Sequence, residues 1–290
     1  MQLPKLLICF LLVSNEYKLV FEGDLRLLKI IICVKQALDV TQIKADPSTR
    51  QIITVDAKRK ISDFDKNAIE EALRIKETQG AEVTALTVSS EDAKMILREA
   101  LAMGADKAYM VSDPPFEGSD TLVTSYILAE AIKKIGEFDL ILCGEASVDS
   151  YSAQVGSRLA ERLEIPLVAY ARKLGIEGNI LTVERTLEDC YETVKAKTPA
   201  LVTVTAEINT PRIPSLMAIM KASKKEIVTW TLQDLSISKE KVGKTGSAIQ
   251  ITEVLAPKVE RKKIVIKGET AAEIAEQLAK ALIKEGVVGR

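Results

Sequence analysis

The chain contains no histidine in 290 residues. That absence removes a Ser-His or Cys-His nucleophile pair, a histidine general base and any histidine-ligated metal. Aromatic residues make up only 4% of the sequence, too few for the stacking platforms that grip single-stranded nucleic acid. Four cysteines are present, Cys9, Cys33, Cys143 and Cys190. None is spaced as Cys-x-x-Cys, which argues against zinc, Fe–S and disulfide frameworks. Neither a G-x-G-x-x-G fingerprint nor a Walker A loop occurs, so a standard Rossmann dehydrogenase and a P-loop NTPase are disfavoured. An excess of one charge is also missing. Lys+Arg is 40 and Asp+Glu is 41, without the basic surplus of a nucleic-acid binder.

What is present is ordinary globular composition, 47% hydrophobic and 28% charged, enough for one large core or a core with an appendage. The apolar stretch Leu3–Val13, broken only by Lys5, is too short to span a bilayer and is followed by no small-x-small cleavage site. Residues 1–28 read as an N-terminal extension outside the fold, with Leu28 a candidate true start. The globular pattern begins abruptly at Lys29.

From there strands and helices alternate. Lys29–Lys35 is a buried apolar strand, and 65–78 carries apolar residues at helical spacing. Glu82–Val88 is the next strand. A helix runs from Ser90 to Met103, with Ser89, Ser90, Glu91 and Asp92 as capping and dipole-favouring residues and Gly104 as its stop. Ala108–Val111 is a short strand, 120–135 an amphipathic helix, Leu140–Cys143 a strand and Ser152–Leu163 a helix stopped by Pro166. This order predicts a parallel, doubly wound sheet with helices on both faces. Cys33 and Cys143 read as buried strand residues. The segments 174–176, 181–185, 193–197 and 200–205 predict an antiparallel extension of that sheet. After Glu207 regular structure thins into an arm marked by Pro211, Pro214, Pro257, Gly243 and Gly246, and a last helix spans 271–284. The expected organisation is therefore a nucleotide-binding α/β domain over 29–206, then a partner-docking arm and C-terminal helix over 207–290.

Ligands of open α/β sheets bind beyond the carboxyl ends of the strands, and three loops occupy such positions. The loop 36–41 has no glycine. The segment Phe116–Ser125 brings hydroxyls to a helix start, which suits phosphate oxygens, although Ser119 or Asp120 as a plain N-cap is the simpler reading. The loop Cys143–Gly156 leaves a strand, passes Gly144 and a run of short hydroxyl and acidic residues, and enters a helix. Its glycine permits close backbone approach, and Asp149 suits either a ribose hydroxyl or a helix cap. Two helix N-termini aimed at one cleft make Gly144, Ser147, Asp149, Ala153, Gln154 and Thr121 candidates for an adenine-dinucleotide site.

From Lys29 to the C-terminal helix, the chain resembles the electron-transfer flavoprotein β subunit. The resemblance rests on Ile32-Cys33-Val34-Lys35-Gln36, on Ser62-Asp63-Phe64-Asp65 followed by Ala68–Leu73, and on Ala100–Asp106. It extends through the Gly144–Val155 loop and the segment Val183…Arg185…Glu188-Asp189…Glu192…Val194…Pro199…Leu201-Val202-Thr203, within which Cys190 departs from the family pattern. Ser62 and Asp63 stand where an Asn-Pro pair is usual. The resemblance implies an adenine-nucleotide α-hydrolase-like, Rossmann-like fold and a heterodimer with an α subunit that carries the redox FAD. It also implies a second nucleotide on this chain, either FAD, as in electron-bifurcating members, or AMP. The stretches Gly118–Ser125 and Ile237…Gly246-Ser247 are similar to the bifurcating type, which favours FAD.

The residues that the resemblance assigns to this nucleotide are Cys33, Ser62, Asp63, Phe64, Asp65, Val88, Asp120, Thr121, Thr124, Gly144, Ser147, Asp149, Ser152, Ala153, Gln154 and Val155. It further implies a cytoplasmic electron carrier, without catalytic residues or metal of its own, that bifurcates electrons only in complex with the α subunit. Its expected partners are acyl-CoA dehydrogenase-like or quinone-reducing proteins, with no nucleic acid and no membrane insertion. Leu216 falls at the family's partner-anchoring leucine, with Met217, Met220, Lys221 and Lys224 beside it. On pattern alone, the same segment also reads as an amphipathic helix with its apolar residues in the core. A stand-alone adenine-nucleotide-binding hydrolase or stress-type protein is the alternative from another class.

Overall fold

The computed structural model describes residues 12–13, 16–17, 27–89, 91–258 and 262–288. The expectations for residues 1–26 and for Ser90 as a helix start lie outside them, apart from a two-residue strand pair, Leu12–Val13 with Glu16–Tyr17. The chain divides into two compact units, residues 1–44 with 53–252 and residues 45–52 with 253–290.

The larger unit is built on a nine-stranded sheet. Its strands in chain order are β1 Leu28–Cys33, β2 Ala81–Val88, β3 Lys107–Val111, β4 Leu140–Gly144, β5 Leu167–Glu177, β6 Ile180–Thr186, β7 Tyr191–Lys197, β8 Ala200–Val204 and β9 Val228–Trp230. Their spatial order is β7-β6-β5-β8-β4-β1-β2-β3-β9. From β5 across to β9, every neighbouring pair is parallel. β6 pairs antiparallel with both β5 and β7. The predicted antiparallel extension thus divides: 167–197 makes the antiparallel end, whereas Ala200–Val204 inserts parallel between β4 and β5. Each residue of β8 is buried, as an interior strand covered on both faces requires.

Helices α1 Asp63–Gln79 and α2 Lys94–Met103 cover one face, and α3 Thr121–Ile135 and α4 Val155–Leu163 cover the other. Alternate residues of β1 supply the two layers. Ile30 and Ile32 pack with Ala68, Ile69 and Leu97, while Ile31 and Cys33 pack with Val123, Ile127 and Leu159. The continuous run Ile30–Val34 is therefore buried throughout, and this explains the absence of alternation in its sequence. The winding reverses between β1 and β4: the chain first steps from β1 to β2 and β3, then returns to the other side of β1 as β4. The carboxyl ends of β1 and β4 form the switch point where open α/β sheets hold ligands.

The region after Glu207 is more ordered than its proline content predicts. Helix α5 Leu216–Ala222 packs by Ala222 beside α2, and β9 adds a parallel edge strand to β3. There Trp230 lies 4.7 Å from Tyr109, centroid to centroid. The Arg212 guanidinium is held by Glu70 of α1 at 2.7 Å and by Glu77, and Asn209 exchanges hydrogen bonds with Asn67. Residues 207–252 thus belong to the larger unit, and the expected arm is shared between the two. The smaller unit contains a bridge between Gln51 and Leu255 and the helix α6 Ala271–Lys284, capped by Thr270, whose Oγ1 accepts from Glu273 N at 3.2 Å. No helix among the described residues is long and apolar enough to cross a membrane.

Candidate nucleotide site

A cavity of about 780 Å³ opens at the switch point, within the range of small-molecule sites. Its floor is the ends of β1 and β4, with Cys33, Val34, Lys35, Cys143 and Gly144. Under the floor, Asp65 on the first turn of α1 joins the two strand ends. Its Oδ2 accepts from Lys35 N at 2.7 Å and its Oδ1 from Gly144 N at 3.0 Å. Burial pushes the Asp65 carboxyl up to about 7, against those two N–H donors and the Lys35 charge, which pull it down. Gly144 is required by this contact. A Cβ there would lie 2.6 Å from Asp65 Oδ1 and 2.9 Å from the Phe64 carbonyl carbon, so a side chain would push α1 off the strand.

One wall is the loop from Glu145 to the start of α4. Lys35 Nζ holds it from below, donating to Asp149 Oδ1 at 2.6 Å and to Ser147 Oγ at 3.1 Å. Burial would raise the Asp149 carboxyl, but the lysine bond keeps it below its ordinary value. Asp149 does not cap α4, which has no side-chain cap at all. The helix also starts three residues later than expected, at Val155, because Tyr151 and Ala153 take left-handed backbone conformations, φ 46° and 52°. Such conformations are costly for residues with a Cβ and gather at functional sites. The result is a helix N-terminus whose first-turn residues Gln154, Val155 and Gly156 line the cavity without a capping side chain.

The opposite wall is built differently. Asp120 caps α3, its Oδ1 accepting from Val123 N at 2.9 Å, while Oδ2 accepts from Ala248 N and Ile249 N at 2.9 and 3.1 Å. Burial would raise this carboxyl, but its backbone donors hold it below the usual range. Ser247 Oγ accepts from Asp120 N, and Ser119 Oγ from Gly243 N. Residues 243–251 are thereby strapped along the start of α3, placing Lys244, Ile249, Gln250 and Ile251 on the cavity lining. Gly118 sits at φ +77°, and a Cβ on it would lie 2.5 Å from Lys244 Cγ. The glycine lets the lysine stem lie against the loop. Thr121 Oγ1 donates to Gln154 Oε1 at 2.8 Å, joining the two walls.

Of the residues singled out from sequence, Cys33, Asp65, Val88, Asp120, Thr121, Thr124, Gly144, Ser147, Ser152, Ala153, Gln154 and Val155 line this one cavity. Four stand behind it. Ser62 is fully buried and its Oγ accepts from Val148 N at 3.4 Å, Phe64 meets Tyr151 edge-on at 5.9 Å, Asp63 pairs with Lys60, and Asp149 holds Lys35. Lys35 and the strap 243–251 are among the lining groups that local sequence reading did not pick out as ligand residues. A cationic residue ending a buried strand was the available signal for Lys35.

The core reading of the Leu216 helix is not what the structure contains. Leu216, Met217 and Met220 are 73%, 68% and 62% exposed, and only Ala222 of α5 is buried.

Residues 49–235 match the model of the electron transfer flavoprotein domain. The chain is 41% identical over 255 residues to an electron transfer flavoprotein subunit beta of Thermoanaerobacterium thermosaccharolyticum, covering 87% of this chain and 98% of that protein. It is 36% identical over 270 residues to the subunit of the same name from Megasphaera elsdenii, covering 90% and 100%. It is 38% identical over 262 residues to the caffeyl-CoA reductase-Etf complex subunit CarD of Acetobacterium woodii, again covering 90% and 100%. With a doubly wound sheet, a switch-point cavity and these relatives spanning nearly their whole length, the chain belongs to the electron transfer flavoprotein family, as a β subunit.

Proposed function

We propose that the switch-point cavity holds an adenine dinucleotide, FAD, and that the chain works as a heterodimer with an electron transfer flavoprotein α subunit. The observation that carries the first part is the uncapped start of α4 facing a cavity of about 780 Å³ that also contains Lys35 and Lys244. Free N–H groups at the α4 N-terminus and the Lys244 ammonium on the opposite wall form a donor set for phosphate oxygens, while the Lys35 ammonium is engaged by Asp149 and Ser147. Two such sources suit a pyrophosphate better than the single phosphate of AMP. The apolar part of the lining, with Val88, Leu128, Ile249 and Ile251, suits a ring system. Bound FAD would supply the one- and two-electron chemistry. The residues here bind and orient it, and Thr121 with Gln154 keeps the two walls in register.

Acid extraction of the purified heterodimer followed by chromatography tests this reading. Two FAD per heterodimer are expected. One FAD and one AMP would overturn the dinucleotide, and absence of any nucleotide from this chain would overturn the site.

The exposed face of α5 supports a docking role toward a dehydrogenase or quinone-reducing partner. An apolar anchor fitted into a partner's pocket is the usual form of an interface hot spot, and Lys221 and Lys224 beside it would steer an acidic surface. Leu216→Ala is expected to weaken docking by roughly 1–3 kcal/mol, read as a rise in the partner concentration needed for half-maximal electron transfer, with nucleotide content unchanged. Loss of the nucleotide or unfolding of the variant would reject the docking role.

A further inference from the structure

Two thiols stand side by side on the cavity floor. Cys33 is the last residue of β1 and Cys143 the penultimate residue of β4, and they are Cα partners in the parallel register. Register partners on adjacent strands project to the same face, about 4.8 Å apart along the hydrogen-bonding direction. Both pack in the layer beneath α3 and α4, both are free thiols, and both line the cavity while being only 8% and 5% exposed. Gly156 at the start of α4 packs closely beside Cys143: a Cβ on it would lie 2.7 Å from Thr203 Cγ2 and 3.9 Å from the Cys143 Cβ. One buried cysteine at this place would be explained by packing alone. A matched pair at the base of an open cavity has a chemistry that neither residue has singly.

We propose that Cys33 and Cys143 form a dithiol site for a trivalent thiophilic centre, with an aryl arsenoxide as its probe, and that this ligand and the nucleotide exclude one another. The second clause rests on the nucleotide reading above; the first does not. In the reaction two S–H bonds break and two As–S bonds form. The arsenoxide oxygen leaves as water, taking both thiol protons. Arsenic remains trivalent, so no oxidant or reductant is consumed. After the first As–S bond, the second closes intramolecularly on a thiol already in place, where effective molarity strongly favours the chelate. Ordinary alkylation follows a different course. It needs a thiolate, and the hydrogen bond between the two thiols, with burial, pushes the Cys143 thiol well above its ordinary value. The pair is thus set to be slow toward iodoacetamide and fast toward a dithiol-bridging reagent, whereas the exposed Cys190 has the opposite preference.

The experiment uses the full chain in complex with its α subunit, after removal of bound nucleotide. Phenylarsine oxide is added, and intact-mass spectrometry with thiol titration under denaturing conditions follows the β chain. The expected result is one arsenical per β chain with loss of two titratable thiols. The adduct should be abolished by Cys33→Ala or Cys143→Ala and unchanged by Cys9→Ser or Cys190→Ser. Persistence of the adduct in Cys33→Ala, or its loss in Cys190→Ser, would overturn the dithiol site. Should an alanine variant fail to fold, peptide mapping of the wild-type adduct decides: both cysteine-containing peptides joined through arsenic support the site, and either one alone overturns it. Refilling the cavity with FAD or AMP before the arsenical should slow adduct formation at least tenfold. An adduct that bridges the pair at full speed in the refilled complex would leave the dithiol standing and overturn the exclusion.

Discussion

Two carboxylates shape the two sides of the cavity, and they are tuned in opposite directions. Asp65 joins β1 to β4 and Asp120 joins α3 to the 243–251 strap, both by accepting backbone N–H bonds. Asp120 is only partly buried and its several donors win, so it is held ionised below the usual range. Asp65 has two donors and is almost wholly enclosed, and there burial wins, up to about 7. The walls they support differ accordingly. On the Asp120 side the helix N-terminus is capped and its loops are closed on one another. On the Asp65 side the helix start is bare and the backbone before it is strained. A satisfied terminus is structure, while an unsatisfied one facing a cavity is a place for a ligand.

The largest expected effect separates the carboxylates by pH. Asp65 titrates near 7 when folded and near 3.9 when unfolded. Between those values the folded state retains a proton that the unfolded state has released. Stability therefore falls as pH rises from about 4 to about 7, by on the order of 4 kcal/mol, and is level above. Asp120 has the opposite sign: its folded value is depressed, so its contribution is present at neutral pH and lost as the solution becomes strongly acidic. Urea unfolding across pH 4–8 should show the Asp65 slope in the wild type and in Asp120→Asn, and a much flatter profile in Asp65→Asn. The asparagine variant should also be weaker at pH 4, since its amide faces one of the two N–H donors without an acceptor. An unchanged slope in Asp65→Asn would show that burial does not dominate at this site.

A smaller effect probes the closed wall. Asp120→Ala removes the α3 cap and both strap contacts, and is expected to cost about 1–2 kcal/mol of stability. Protease sensitivity should rise around residues 243–251, where Lys244 and Ile249–Ile251 lose their tie to α3. Thermal unfolding with limited proteolysis checks this. A stable variant with a protected strap would mean that the strap is held by Ser119 and Ser247 alone.

Much of this arrangement was legible in the sequence, for identifiable reasons. β1 is readable because burial on both faces demands an unbroken apolar run, and α1 to α3 because their apolar spacing is helical. The Cys143–Gly156 loop stands out because a glycine and short polar residues between a strand and a helix have few other uses. The start of α4 was misplaced because Ser152 is a good cap residue by type, and the left-handed turns at Tyr151 and Ala153 leave no local mark. β9 escaped because three residues at a sheet edge carry too little pattern. The strap escaped for another reason. Lys244 and Ile249–Ile251 follow the α4 start by about ninety residues, and local periodicity cannot say which distant wall they complete. Asp120 was read correctly as a cap, but its second set of partners, 128 and 129 residues further on, could not be.

The smallest effect bears on the open wall, at Ala153. A left-handed alanine costs about 1–2 kcal/mol, because its Cβ crowds the following carbonyl. Glycine removes that cost but makes the unfolded chain more flexible, which takes back about 0.4–1 kcal/mol. Ala153→Gly should therefore leave thermal stability within about 1 kcal/mol of the wild type, on the favourable side. Its effect on the ligand should be unfavourable. The strained residue holds the first-turn groups of α4 toward the cavity, and a glycine there lets the loop sample other conformations in the empty protein. The ordering cost then falls on binding. Nucleotide-free complex titrated with FAD should show weaker binding in Ala153→Gly, by several-fold, through faster dissociation of the nucleotide. If the variant binds as tightly as the wild type, the strain at Ala153 does not serve the ligand, and the contrast between the two helix starts reduces to a difference in capping.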